Sequence, residues 1–188
     1  MRKIVLMMSV SLDGFFEGPN RELDWHLVDE ELHRHFNDEL AAMSAFLDGR
    51  VTYELMASFW PAADSDPATT PAMVEFARIW RDMPKVVYSR TLERADWNTT
   101  IAREVVPDEV MEMKAQPGGD MALGGADLAA TFMRHDLIDE YRIYIHPVVL
   151  GRGRPLFPTS DVRVDLDLAE TRTFGNGVVL LRYERRRG

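Results

Sequence analysis

The chain has no cysteine. That excludes disulfides, thiolate nucleophiles and zinc sites built on Cys. It also lacks a long apolar run: no stretch approaches the roughly 20 residues that span a bilayer. Ile4 to Val10 is apolar, but Asp13-Gly14 follows where a signal peptide would need a small-residue cleavage site. The expected compartment is the cytoplasm. A basic excess is missing too. The formal net charge is −9, and the one basic run is Arg185-Arg186-Arg187 at the chain end, so no nucleic-acid partner is expected. No internal repeat, low-complexity block or dividing linker is visible.

What remains is a soluble, globular composition. The 188 residues are 46% hydrophobic, with charges of mixed sign, enough for one domain over residues 1–188 with its own core. Arg2–Val10 reads as a first strand buried on both faces, followed by a loop of turn formers from Ser11 to Asn20. Leu32, Phe36, Leu40 and Met43 share one stripe at 100° per residue. They predict a helix from about Asp29 toward Ala45, with Asp29, Glu30 and Glu31 at its start. A short strand at Ala45–Leu47 leads into a helix over Thr52–Phe59. Pro61–Pro71 reads as a loop, Ala72–Trp80 as a helix and Lys85–Tyr88 as a strand. Asp96–Val106 has room for another strand, and Asp108 is expected to cap a helix to Ala115. Leu137–Val149 reads as a long strand. Val162–Phe174 and Val178–Glu184, joined by Gly175-Asn176-Gly177, form an antiparallel hairpin. Strands alternating with helices, then a run of strands, predict an α/β fold. Its sheet is mostly parallel, flanked by helices, with an antiparallel C-terminal edge.

The stretch Met121–Met133 organises the rest. A buried strand, the Gly124-Gly125 turn and a helix burying Leu128, Ala129, Phe132 and Met133 follow one another. The glycine pair alone reads first as a packed corner. It also leaves no side chain over a helix N-terminus, whose unpaired N–H groups suit a phosphate. Two further strand ends resemble it, at Gly49-Arg50-Val51-Thr52 and at Ser89-Arg90-Thr91. In a parallel sheet such ends share one edge, where ligands bind. Helix N-termini, arginine and hydroxyl residues together make a phosphate-binding set.

In this order and at these separations, the motifs resemble those of the dihydrofolate reductase superfamily. They are more closely similar to those of the reductase half of the bifunctional riboflavin-biosynthesis deaminase–reductase. The resemblance is carried by Val10–Gly14, Asp24-Trp25, Gly49–Glu54, Val87–Arg90, Leu123–Leu128, Leu137–Tyr141, His146–Gly153 and Pro155–Phe157. It implies a three-layer sandwich with NADPH across the carboxyl ends of the strands. Gly49, Arg50 and Thr52 would meet the pyrophosphate. Ser89 and Arg90 would meet the 2′-phosphate, favouring NADPH over NADH. Gly124, Gly125 and Ala126 would supply a second phosphate and ribose contact. The nicotinamide would lie near Asp13 to Gly18, with Asp13 and Trp25 beside the substrate. The long C-terminal strands would pair two copies in a homodimer.

The implied chemistry is hydride transfer to a small flat heterocycle, pterin-like or pyrimidine-like. The resemblance places a carboxylate at the start of the first helix. Counting from Trp25 gives Glu30. Helical phase gives Asp29, about 60° from Leu32. Either could instead face water, with Asp29 simply capping the helix. The deaminase half is absent, since there is no Pro-Cys-x-x-Cys. Two other functions stay open: a ligand-binding protein without turnover, and a flavin-using reductase. The five histidines are scattered, and His33 and His35 point to different sides of their helix, so no metal site is expected.

Overall fold

Alternation along the first strand decides which layer each helix joins. The computed structural model describes residues 1–187. Strand β1 (Ile4–Ser11) carries Ile4 and Leu6 on one face and Val5 and Met7 on the other. Ile4 and Leu6 pack with Val110 of helix α4 (Pro107–Ala115) and with Leu128, Ala129 and Phe132 of α5 (Ala126–Arg134). Val5 packs with residues of three other helices. These are Leu40 of α1 (Glu30–Ala41), Tyr53 of α2 (Arg50–Phe59), and Phe76 and Trp80 of α3 (Pro71–Asp82). The sheet is therefore covered on both faces, giving the three-layer sandwich expected from the sequence.

The remaining strands are β2 (Phe15–Glu17), β3 (Ala45–Gly49), β4 (Lys85–Tyr88), β5 (Thr99–Ala102), β6 (Met121–Gly124), β7 (Glu140–His146), β8 (Arg154–Pro155), β9 (Leu166–Thr173) and β10 (Val179–Arg185). The main sheet runs β5-β4-β3-β6-β1-β7-β10-β9. Its pairs from β5 through to β7 are parallel, and β10 and β9 close it antiparallel. β2 and β8 form a separate two-stranded ribbon not foreseen in the sequence.

Neighbouring strands β3 and β6 are in register from Ala45↔Met121 to Asp48↔Gly124. The helix leaving β3 goes to one face of the sheet and the helix leaving β6 goes to the other. A crevice must open between two such strands at their carboxyl ends.

Boundaries move where local chemistry overrides pattern. Helix α1 stops at Ala41 because Ala45 already belongs to β3. Helix α4 starts at Pro107 with Val106 as its N-cap, not Asp108: proline suits the first helical position, where no N–H is required. Helix α3 reaches back to Pro71, capped by the Thr70 hydroxyl. The expected loop before it contains a 3₁₀ turn, Trp60–Ser65. β7 is shorter than Leu137–Val149 and ends at His146, before Pro147, which cannot donate to a ladder. It is paired on both sides, and the outer strands of the main sheet are β5 and β9. No helix among the described residues is long and apolar enough to cross a membrane.

Glu140, fully buried at the start of β7, accepts from Lys3 at 3.1 Å, from Arg142 at 2.7 Å and from Arg182 at 2.7 Å. Removing one partner of such a cluster strands the others without compensation. Glu140→Ala is expected to cost about 3–5 kcal/mol in urea unfolding. A loss below about 1 kcal/mol would show that the cluster is not held in solution.

Candidate functional site

The crevice between β3 and β6 is a cleft of about 540 Å³, within the roughly 300–1,000 Å³ usual for small-molecule sites. Gly49, Arg50, Thr52, Ser89, Arg90, Gly125 and Ala126 all line it. Gly124 lines an adjoining chamber. Three strand ends far apart in sequence thus meet on one edge.

Two helices open onto this cleft with bare N-termini. The N-cap of α2 is Gly49 and that of α5 is Gly125, and neither has a side-chain capping bond. Helices α1 and α3, by contrast, are capped by Asp29 and Thr70. Uncapped ends leave N–H donors and partial positive charge for an anion. Gly125 cannot be replaced easily. Its φ is +89°, and a Cβ there would lie 2.6 Å from the Thr52 hydroxyl oxygen. A Cβ on Gly124 would lie 2.7 Å from an Asp48 carboxyl oxygen.

The cleft arginines differ in how far they are committed. Arg50 pairs with Glu54 one turn on, at 2.7 Å. Arg154 bridges Glu17 and Asp127, both at 2.7 Å, and its guanidinium lies over the Phe16 ring. Arg103 donates to the carbonyls of Ser89 and Leu92, bracing the turn after β4. The Ser89 hydroxyl accepts from the backbone N–H groups of Thr91 and Leu92, which fixes the same turn. Arg90, exposed at its tip, has no hydrogen-bond or ion-pair partner among the described residues. It is the cleft cation left free for a ligand.

The expected catalytic and substrate residues lie elsewhere. Asp29 is exposed, and its carboxylate accepts from the Leu32 N–H at 2.9 Å. Glu30 is exposed and pairs with Arg34. Neither lines the cleft or the chamber. Helical phase misled at Asp29 because an N-cap residue precedes the helix and folds its side chain back over the first turn. Asp13 is exposed and ties its loop to the backbone N–H groups of Leu150 and Gly151. Hydrogen bonds from Ser11 and that backbone hold its carboxyl below the usual range. Trp25 packs edge-on against His26 and His146. His146 accepts from the Leu27 N–H at 3.0 Å through Nδ1, so its neutral form carries the proton on Nε2. Burial pushes it down to about 4. Of this trio, His26 lines the cleft.

The chamber, about 220 Å³, lies between the sheet and helices α1, α2 and α3. Met7, Met8, Ser9 and Thr52 line it and the cleft alike, so the two communicate. Its walls are mainly apolar, including Phe36, Leu40, Phe76 and Trp80. At its β3 end stands Asp48, which the motif reading passed over. The residue is 6% exposed. Burial pushes its carboxyl up to about 7, against the pull of the Lys85 ammonium. The available signal was an acid in phase with Phe46 on a strand whose neighbours are apolar. Arg103 and Arg154 were missed because single arginines outside a motif carry no signal.

An open α/β sheet with a cleft between diverging helices at its switch point defines the class. The family model for the RibD C-terminal domain matches residues 2–180, and the chain belongs to that family. It is similar to the uncharacterized protein YyaP of Bacillus subtilis (39% identical over 183 residues, 97% of this chain and 94% of that protein). It is also similar to the uncharacterized protein YwjB of the same organism (30% identical, 95% and 96% covered). Among solved structures, a putative riboflavin biosynthesis protein from Shewanella sp. PV-4 shares the fold (TM-score 0.75, 22% identity, both chains covered in full). So does a pyrimidine reductase-like protein from Corynebacterium diphtheriae (TM-score 0.64, 11% identity, 100% and 93% covered). The resemblance read from the motifs is borne out at the level of family and fold.

The Asp48 carboxyl gives a stability prediction. An unfolded aspartate titrates near its ordinary value of 3.8, whereas burial pushes the folded one up to about 7. Between those values the folded state keeps a proton that the unfolded state has lost. Stability therefore falls as pH rises through this window, and the full penalty stands above 7. The rise corresponds to roughly 4 kcal/mol at most. Asp48→Asn carries no charge to desolvate. Its stability gain over wild type should grow from pH 4 to pH 8 in urea titrations, and a gain independent of pH would refute the assignment.

Proposed function

We propose that the protein is an NADPH-dependent reductase of a small flat heterocycle, pterin-like or pyrimidine-like. One observation carries the reading. Two helix N-termini without side-chain caps and an unpaired Arg90 converge on a cleft that runs into a mainly apolar chamber. Family membership adds to it, as do the names of the two fold neighbours, which concern those proteins.

The donor set fits a phosphorylated dinucleotide. The N-terminal N–H groups of α2 and α5, with the Thr52 hydroxyl between them, would hold the pyrophosphate. Arg90 and the turn fixed by Ser89 would hold the 2′-phosphate, where a guanidinium can pair with a dianion through two N–H groups. The cofactor supplies the hydride when bound. The chain's own work is orientation and exclusion of water. Met7 and Met8 at the junction, and the aromatic walls beyond, would leave a planar ring little room to rotate.

The reading of a binding protein without turnover draws on the solvent-facing Asp29 and Glu30. The two readings separate on NADPH oxidation in the presence of pterins and aminouracils. A homodimer belongs to the same proposal, with β9 as the C-terminal one of the two outer strands, β5 and β9. Light scattering should give twice the chain mass, and the mass of one chain at working concentration would contradict it.

Arg90→Ala tests the cofactor. Losing one charge-assisted contact of about 1.5–3 kcal/mol should weaken NADPH by about 10- to 100-fold in isothermal titration. NADH should change by less than about twofold. Equal losses would remove the 2′-phosphate role. No binding of NADPH by wild type at millimolar concentration would remove the proposed function itself.

A further inference from the structure

The geometry points to Asp48 as the group that protonates the substrate, holding its proton while the cofactor is reduced and releasing it as the cofactor is oxidised. This rests on the proposed reductase activity and names a residue for a step that neither Asp29 nor Glu30 is positioned to perform.

A buried carboxyl normally finds a hydrogen-bond partner. Asp48 is more than nine-tenths buried, and no hydrogen bond to its carboxyl is found among the described residues. Asp48 lines the chamber, with a carboxyl oxygen over Gly124, where the lack of a Cβ gives it room. One residue on, Gly49 begins the cleft. The groups facing Asp48 leave this role to it. Lys85 on β4 is the charge that acts on it, and its ammonium is already bound to the carbonyls of Met83 and Trp97 at 2.8 Å each. Thr52 comes from α2, and β6 offers only backbone at Gly124. Helices α1 and α3 contribute Phe36, Leu40, Phe76 and Trp80, and β7 contributes uncharged Tyr144.

Reduction of a C=N bond adds a hydride to carbon and needs a proton on nitrogen. The C=N π bond breaks and C–H and N–H bonds form. A reduced nicotinamide held in the cleft would supply that hydride and so be the reductant. The Asp48 O–H bond breaks and leaves a carboxylate. A nicotinamide cation bound within reach of the chamber would stabilise that carboxylate, and water reprotonates it once the product has left. A carboxyl poised near neutrality suits this duty, because it is protonated before the step and a competent donor during it.

The test needs no substrate. Difference infrared spectra of protein labelled with ¹³C-aspartate report the protonated carboxyl from pH 5 to 9, with Asp48→Asn identifying the band. The band should titrate near pH 7 without cofactor and stay there with NADPH. With NADP⁺ the midpoint should fall by at least half a pH unit. Isothermal titration at pH 7 in buffers of different ionisation enthalpy should show proton release on binding NADP⁺ that is larger than with NADPH. The difference should vanish in Asp48→Asn. A carboxyl that titrates below pH 5, or the same midpoint with both nucleotides bound, overturns the inference while leaving the reductase reading standing. Failure of wild type to bind either nucleotide overturns both, and is told apart by the absence of any binding heat.

Discussion

The site depends on one close approach. The first turn of α2 and the turn before α5 come together so tightly that the Thr52 hydroxyl occupies the space a side chain on residue 125 would need. The Asp48 carboxyl does the same above residue 124. Both contacts follow from β3 and β6 being neighbours in register. Their helices diverge to opposite faces, and the backbone between them is left as the floor of a crevice. Glycine is required at 125 by its positive φ as well as by space. Without that approach the two bare helix ends would not point at a common volume, and Arg90 would be an ordinary exposed charge.

Much of this was legible in the chain. The alternation of Ile4, Leu6 against Val5, Met7 gave a strand buried on both faces, hence helices on both sides. Gly49-Arg50, Ser89-Arg90 and Gly124-Gly125 each sat at a strand end, and the parallel sheet brings strand ends to one edge. What pattern could not give was the sense of individual side chains at element ends. Asp29 was phased as if it were helical. As the N-cap it bonds to Leu32 instead, because an unsatisfied N–H in the first turn competes for any nearby carboxylate. The ribbon of β2 with β8 was invisible for another reason. Three residues against two have no periodicity to read, and their pairing is set by contacts more than a hundred residues apart.

Trp25 illustrates a related limit. An aromatic beside a loop rich in turn formers could line a pocket or simply pack. Here it packs on two stacked imidazoles, half-buried His26 and buried His146, whose centroids are 5.1 Å apart. The loop after β1 is thereby anchored to the end of β7, with Asp13 adding bonds to Leu150 and Gly151. Asp13 and Trp25, expected at the substrate, thus hold the loop after β1 against the end of β7.

Asp48 marks where local consistency gives way. A β-strand interior favours apolar residues, and Ala45-Phe46-Leu47 obeys that rule. The next residue, on the same face as Phe46, is an acid whose charge the surroundings oppose. Sequences that specify one fold tend to break such rules where function needs it, and to offset the cost in the rest of the core. The offset here is visible in the same sheet. The apolar faces of β1, β3 and β6 are buried on both sides, and Glu140, the other acid buried in the sheet, is fully paired. One buried acid is matched by cations and serves the fold. The other is left unmatched, facing a cavity, and its lack of a partner is what makes it available for chemistry.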